Sequence, residues 1–149
     1  VTKAHTDLLL ARIRSIPALA SKTFVAPAQR DAAGKLPVAP YIVVYPSEGV
    51  DTRDRFTGPT TTQHPSFTLH IVGSSYDNCA TVAALIKAKF VVNGVGIQAD
   101  VPGERGRGMV FEPPQPIQVD YDITPALVYA TADISWLSEP VPALNLAKN

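Results

Sequence analysis

Residues 66–72 alternate without a break: Phe67, Leu69 and Ile71 fall on one side of an extended chain, and Ser66, Thr68 and His70 on the other. Successive side chains of a β-strand point to opposite faces, so this segment has one face that must be covered and one that need not be. The pattern returns near the end of the chain, over about 127–137. There Val128, Ala130, Ala132, Ile134 and Trp136 share one side, with Tyr129, Thr131, Asp133 and Ser135 opposite. Two such strands demand a sheet with an apolar layer against one face.

Two segments have the helical period that can supply that layer. In 3–16, Leu9, Leu10, Ile13 and Ile16 recur at helical spacing, and Pro17 ends the run because it cannot continue the hydrogen-bond ladder. In 74–92 the stripe is Cys79, Val82, Ala83, Ile86 and Phe90. Ser74 and Asp77 predict its N-terminal capping box, and Asn93-Gly94 its left-handed cap. Residues 41–45 are apolar on both faces and read as a central strand. Shorter strands are expected at 23–25, 96–100, 109–111 and 117–122. The expectation is a single α+β domain over 1–138, with two helices packed on one face of a mostly antiparallel twisted sheet and long inter-strand loops. Residues 139–149 read as a loose tail.

Three loops, near 26–40, 46–64 and 100–116, exceed the roughly 12–15 residues at which a connection becomes unusual in a compact domain. Ten of the 14 prolines lie in them or, like Pro65, just beside them. Proline restricts the unfolded chain and so lowers the entropy cost of ordering a loop. Such stiffened loops suit docking onto another subunit; solvated excursions with no partner are the plain alternative.

Composition narrows the classes. A hydrophobic fraction of 46% with 17% charged residues belongs to an ordinary globule. Thirteen basic residues balance thirteen acidic ones, which leaves no global excess to grip phosphates. A single cysteine permits neither an internal disulfide nor a zinc ribbon. No stretch reaches the roughly 20 apolar residues of a membrane span. Residues 1–6 lack the layout of a signal peptide, so a soluble protein made in a cytosol is expected.

No catalytic constellation stands out. Gly73-Ser74-Ser75-Tyr76-Asp77 sits at a strand-to-helix turn, but Asp77 takes the place of the second glycine of a nucleophile elbow, and helix capping explains the serine and the aspartate. Gly103-Glu104-Arg105-Gly106-Arg107-Gly108 lacks the Lys-Ser/Thr pair and following helix of a phosphate loop, and reads as a flexible turn. His64 and His70 are about 20 Å apart along a strand, too far to share a metal; His5 stands alone; Cys79 lies on an apolar helix face. Asp120 and Asp122, roughly 7 Å apart, form the best carboxylate pair but have no base or nucleophile motif beside them. No cofactor or metal is expected. Asp51-Thr52-Arg53-Asp54-Arg55 alternates in sign; it is either a self-compensating loop or an electrostatic latch to a neighbouring subunit.

Four stretches, taken in order, resemble the tail terminator family of long-tailed bacteriophages. They are the helix Thr6-Asp7-Leu8-Leu9-Leu10-Ala11-Arg12-Ile13-Arg14; the strand Pro40-Tyr41-Ile42-Val43-Val44-Tyr45-Pro46 with the loop Arg53-Asp54-Arg55-Phe56-Thr57-Gly58; Phe67-Thr68-Leu69-His70-Ile71-Val72-Gly73 leading into an alanine-rich helix; and Asp120 to Pro125 followed by Val128-Tyr129-Ala130-Thr131-Ala132-Asp133. The likeness spans about 5–137 and rests on order and spacing, with no signature motif. The 100–116 loop and the tail after Ser138 depart from it.

The resemblance implies a non-enzymatic virion protein that assembles with itself as a six-fold ring. The ring would cap the tail tube protein, stop its elongation and meet the head-completion (stopper) protein, with DNA passing through the lumen unread and no membrane involved. Assembly would take place in the host cytoplasm. The residues expected at the subunit interface are Arg53, Asp54, Arg55 and Phe56, then Arg105 and Arg107. The alternatives are another neck ring subunit, such as a stopper or head–tail adaptor, and a small hydrolase using Asp120, Asp122 and Ser75.

Overall fold

The computed structural model describes residues 3–47, 52–53, 61–112 and 115–141. Helix α1 (Lys3–Arg14) leads through a short 3-10 turn to strand β1 (Thr23–Val25) and then β2 (Tyr41–Pro46). A small hairpin, β3 (Thr52–Arg53) and β4 (Thr61–Thr62), precedes the long strand β5 (Ser66–Gly73) and helix α2 (Tyr76–Phe90). There follow β6 (Val91–Val92), β7 (Val95–Gly96), β8 (Glu104–Gly106), β9 (Val110–Phe111), β10 (Gln118–Asp120), β11 (Leu127–Ser135) and β12 (Ser138–Pro140).

The main sheet has the order β1-β2-β5-β11-β10, with β9 also on β11. Only β1 and β2 run parallel; every other pair in it is antiparallel. The expected α+β class, with its mostly antiparallel sheet, is what is found. Strand β5 is buried at every second residue, as its alternation requires. Phe67, Leu69 and Ile71 join Ile42, Val44, Ala130, Ala132 and Ile134 on the face beneath the helices. From above, α1 contributes Leu9, Leu10 and Ile13, and α2 contributes Cys79, Val82, Ile86 and Phe90. Tyr41 through Val44 are all buried, so the strand that is apolar on both faces is central, between β1 and β5.

The parallel pairing of β1 with β2 accounts for one long loop. Antiparallel neighbours can be joined by two residues, whereas a parallel partner must be reached by returning the full strand length, which takes a dozen residues or more. The 26–40 excursion is that return. Within it Asp31 Oδ1 accepts the backbone N–H groups of Ala33 and Lys35 at 2.9 and 2.8 Å.

The 100–116 loop is not one loop. It contains β8 and β9, and its last part runs along the outer edge of β11: Glu112 N–H donates to Asp133 O at 2.9 Å and Gln115 N–H to Thr131 O at 2.8 Å. Together with β9 and β10 this makes an interrupted edge strand, the place where a sheet tolerates proline. The expected strand at 96–100 is also corrected. Only Val95–Gly96 is strand, paired with β6 across Asn93 (φ 53°) and Gly94 (φ 76°). Two successive positive φ values make the tight turn that matches the twist of a hairpin, so Asn93-Gly94 closes a hairpin instead of capping α2. The cap at the other end of α2 moves by one residue. Ser75, not Ser74, accepts the N–H of Asn78, at 3.2 Å, while Asn78 Oδ1 accepts the N–H of Ser74 at 3.1 Å.

Nor is the chain after Ser138 loose from its start. Glu139 and Pro140 pair with Arg105 and Glu104 in the β8–β12 ribbon, while 142–149 lie outside the described residues. Phe67 is fully buried and stacks on Trp136 with centroids 5.6 Å apart. Replacing Phe67 with Ala should therefore lower stability by about 3–5 kcal/mol, read as a reduced urea midpoint. The exposed Val38→Ala control should leave it within about 0.5 kcal/mol.

Candidate functional site

Two surfaces stand out once the core is assigned, and they lie at opposite ends of β11. The first is the end formed by the β8–β12 ribbon, near which three of the six residues expected at an interface, Arg53, Arg105 and Arg107, lie. Arg53 pairs with Thr61 in the β3–β4 hairpin, Gln63 then bridges to Ser138, and Ser138 pairs with Gly106 of β8. The fold thus brings the backbones of Arg53 and Arg105 to one end of the molecule, although they stand 52 positions apart in sequence. Asp54, Arg55 and Phe56 lie outside the described residues, as does the side chain of Arg53.

The segment expected as a flexible turn is corrected: Glu104–Gly106 is a strand with a fixed neighbour. Gly106 N–H donates to Asp100 Oδ1 at 2.8 Å, and a Cβ on Gly106 would stand 2.0 Å from Ala99 O, so the residue is needed for close backbone approach. Arg107 pairs with Glu139 at 2.6 Å, engaged within its own chain. Arg105 points into solvent.

Beneath this end lies a buried group that its isolation in sequence concealed. His5 is fully buried, meets the Trp136 ring edge-on at 5.9 Å and faces Glu104 Oε2 at 3.5 Å. Burial pulls its pKa below the usual histidine value, against the opposing effect of the Glu104 carboxylate. The signal was present: residues 5, 9, 13 and 16 share one helical face.

The second surface is the sheet face away from the helices, which sequence reasoning treated simply as the polar side. Strand register lines up Tyr41, Val72 and Tyr129 in one row and Val43, His70 and Thr131 in the next. The His70 ring lies 4.7 Å from Tyr45 and 6.2 Å from Tyr129 between centroids. With Val119, Asp120, Tyr121 and Asp122 these side chains line an open groove of about 630 Å³. Burial raises the Tyr41 phenol pKa, and the Asp120 carboxylate pushes the same way. Burial alone lowers that of His70. Recurrent tyrosines at alternate positions of facing strands were the available clue.

The carboxylates of the groove carry no apparatus for acid–base chemistry beside them. Asp120 Oδ1 accepts the Asp122 backbone N–H at 3.0 Å, closing a local turn. Ser75 does not line the groove; its hydroxyl caps α2. Cys79 is fully buried in the core, and its thiol pKa is raised by that burial. Among the described residues no three His, Cys, Asp or Glu side chains come together as a metal site, and no helix is long and apolar enough to cross a membrane.

No protein-family model matches the chain, and no curated protein does. Among solved structures, it is similar to a chain described as the virion of a native gene transfer agent (GTA) particle. The two are 15% identical, with a TM-score of 0.63 over 91% of this chain and 95% of that one. A second solved structure is 18% identical with a TM-score of 0.55, covering 93% of each chain. At these identities the likeness is one of fold.

His5 and His70 both have lowered pKa values in the fold, so below about pH 6.5 the unfolded chain binds protons that the folded one does not. Their contribution to stability is complete above that value and falls as the pH drops from it toward the lower folded pKa values. Urea midpoints should decline between about pH 7.5 and pH 5.5, and His70→Gln should flatten part of that slope. An unchanged slope in the variant would mean that His70 is freely protonated in place.

Proposed function

We propose that this chain is a structural subunit of a tailed, phage-like virion, and within it the tail terminator. Copies would form a ring that caps the tail tube, stops its growth and joins it to the head-completion proteins. The observation that carries the reading is the fold shared, over nearly the whole of both chains, with a component of a gene transfer agent virion. The order of strands and helices that resembles tail terminators in sequence supports the finer assignment. So does the surface, whose clearest features are an open aromatic groove and a ribbon with an exposed arginine, features that suit contact with another subunit. Balanced charge suits a ring whose lumen DNA must traverse without being held.

The association would be one of surface complementarity. Apolar contact supplies affinity and charged loops set register. Arg53, Asp54, Arg55 and Phe56, together with Arg105 and Arg107, are the residues we assign to that contact. The reading is tested by light scattering and electron microscopy of the purified chain, alone and with tail tubes. Rings in solution, or monomers that assemble only on tube ends, support it. Localisation to a different ring of the neck would assign the chain to a stopper or adaptor instead. Replacing both Arg53 and Arg55 with Glu should leave circular dichroism unchanged and reduce ring formation or tube capping about tenfold or more. Wild-type assembly by that variant removes the latch.

A further inference from the structure

The groove on the open sheet face has walls of one chemistry and a rim of another. Tyr41, Tyr45, His70 and Tyr129 present aromatic surface, and Asp120 and Asp122 stand at the edge. Neither carboxylate is in an ion pair among the described residues. Aromatic faces attract cations through the negative charge of their π-systems, and carboxylates attract them directly. A planar guanidinium satisfies both at once, because it can stack on a ring while its N–H groups fork onto a carboxylate.

We propose that this groove is the socket for Arg105 of a second copy of the chain. The inference rests on the ring reading above and goes beyond it by naming the two surfaces that meet. Among the arginine side chains described, Arg12, Arg14 and Arg30 donate to backbone carbonyls and Arg107 is paired with Glu139. Arg105 alone is exposed with a guanidinium that meets no partner among the described residues. Lys35, Lys87 and Lys89 also have no side-chain partner among the described residues, but an ammonium has no planar face to lay on tyrosine.

Position makes the contact intermolecular. Arg105 sits opposite Glu139, past the C-terminal end of β11, while Asp120, Asp122 and Tyr129 place the acidic end of the groove at that strand's beginning, its other end at Tyr45 being level with Asp133. The run from Tyr129 to Ser135 alone covers about 20 Å, so one subunit's arginine cannot reach the carboxylates of its own groove. A contact between two different surfaces of identical subunits is heterologous, and repeating it gives a closed ring or an open filament, never a self-limited dimer. A ring is what the terminator role requires.

The test uses two full-length variants. Arg105→Ala spoils the knob and keeps the socket; Asp122→Lys with Tyr45→Ser spoils the socket and keeps the knob. Asp122→Lys alone, at an exposed site, serves should the double change disturb folding, which circular dichroism and urea midpoints report. Each variant alone should need at least about tenfold more protein to assemble than the wild type. Mixed in equal amounts they should form a one-to-one dimer and no ring, because only one sound contact can be made. Variants that assemble as the wild type does, or a mixture that stays monomeric, overturn the socket and leave the ring reading standing. Wild-type protein that remains monomeric both alone and on tail tubes overturns the two together.

Discussion

Burial of Phe67, Leu69 and Ile71 beneath the two helices sets the rest of the molecule. Because β5 has a strict period of two, seating those three residues in the core forces Thr68, His70 and Val72 onto the other face. A slip of one residue would exchange the two sets and put polar groups under the helices, so the register is held wherever one face is buried. The neighbours inherit it. Val43 and Thr131 come to lie beside His70, and Tyr41 and Tyr129 beside Val72. The aromatic groove is thus the reverse side of the core, positioned by the same hydrophobic contacts that stabilise the fold.

Periodic segments were legible in the sequence, and segments defined by what lies across from them were not. The alternation of 66–72 and 127–135, the stripes of α1 and α2, and the apolar run at 41–44 all appear where their spacing predicts. These signals are local, since burial follows from the period alone. Pairing partners are a property of distant residues. Nothing in 26–40 reveals that β1 lies parallel to β2, so the length of that loop looks like a docking device when it is a geometric requirement. Asn93-Gly94 fits both a helix cap and a hairpin turn, and only the pairing of Val91 with Gly96 decides between them. Of the site, Arg53 and Arg105 could be picked out as charged residues in irregular segments, but their convergence through Gln63 and Ser138 could not. The groove was hidden because tyrosine counts as tolerable on a polar face. Its meaning comes from three strands placing Tyr45, His70 and Tyr129 together.

The far end of β11 shows the same dependence on the sheet. Trp136 follows directly on the strand and fills the space between Phe67 and His5, and His5 in turn faces Glu104 on β8. The base of the β8–β12 ribbon is therefore packed into the core through an aromatic stack, with Gly106 admitting the close approach of Ala99. Charged tips on a rigid base lose less conformational entropy on docking than tips on a free loop, which is what makes a small charged surface useful for register.

How copies could associate is narrowed further by the edges of the sheet. An exposed edge strand invites pairing with another chain, the simplest route to unwanted polymer. Here the outer side of β11 is covered by an interrupted strand bonded to it through Glu112 and Gln115, and Pro116 after them has no N–H to donate to a ladder. The other edge, β1, is three residues long, and Arg14 donates to the carbonyl of Thr23 at 2.9 Å. With both edges blunted, specific association falls to side chains. The exposed side chains differ accordingly: aromatic and acidic groups stand at the start of β11, while beyond its end Arg105 is exposed beside the Arg107–Glu139 pair. An arginine at one end and carboxylates at the other favour a copy added end to end over one stacked like on like, so this difference gives direction to an assembly that backbone pairing would leave open.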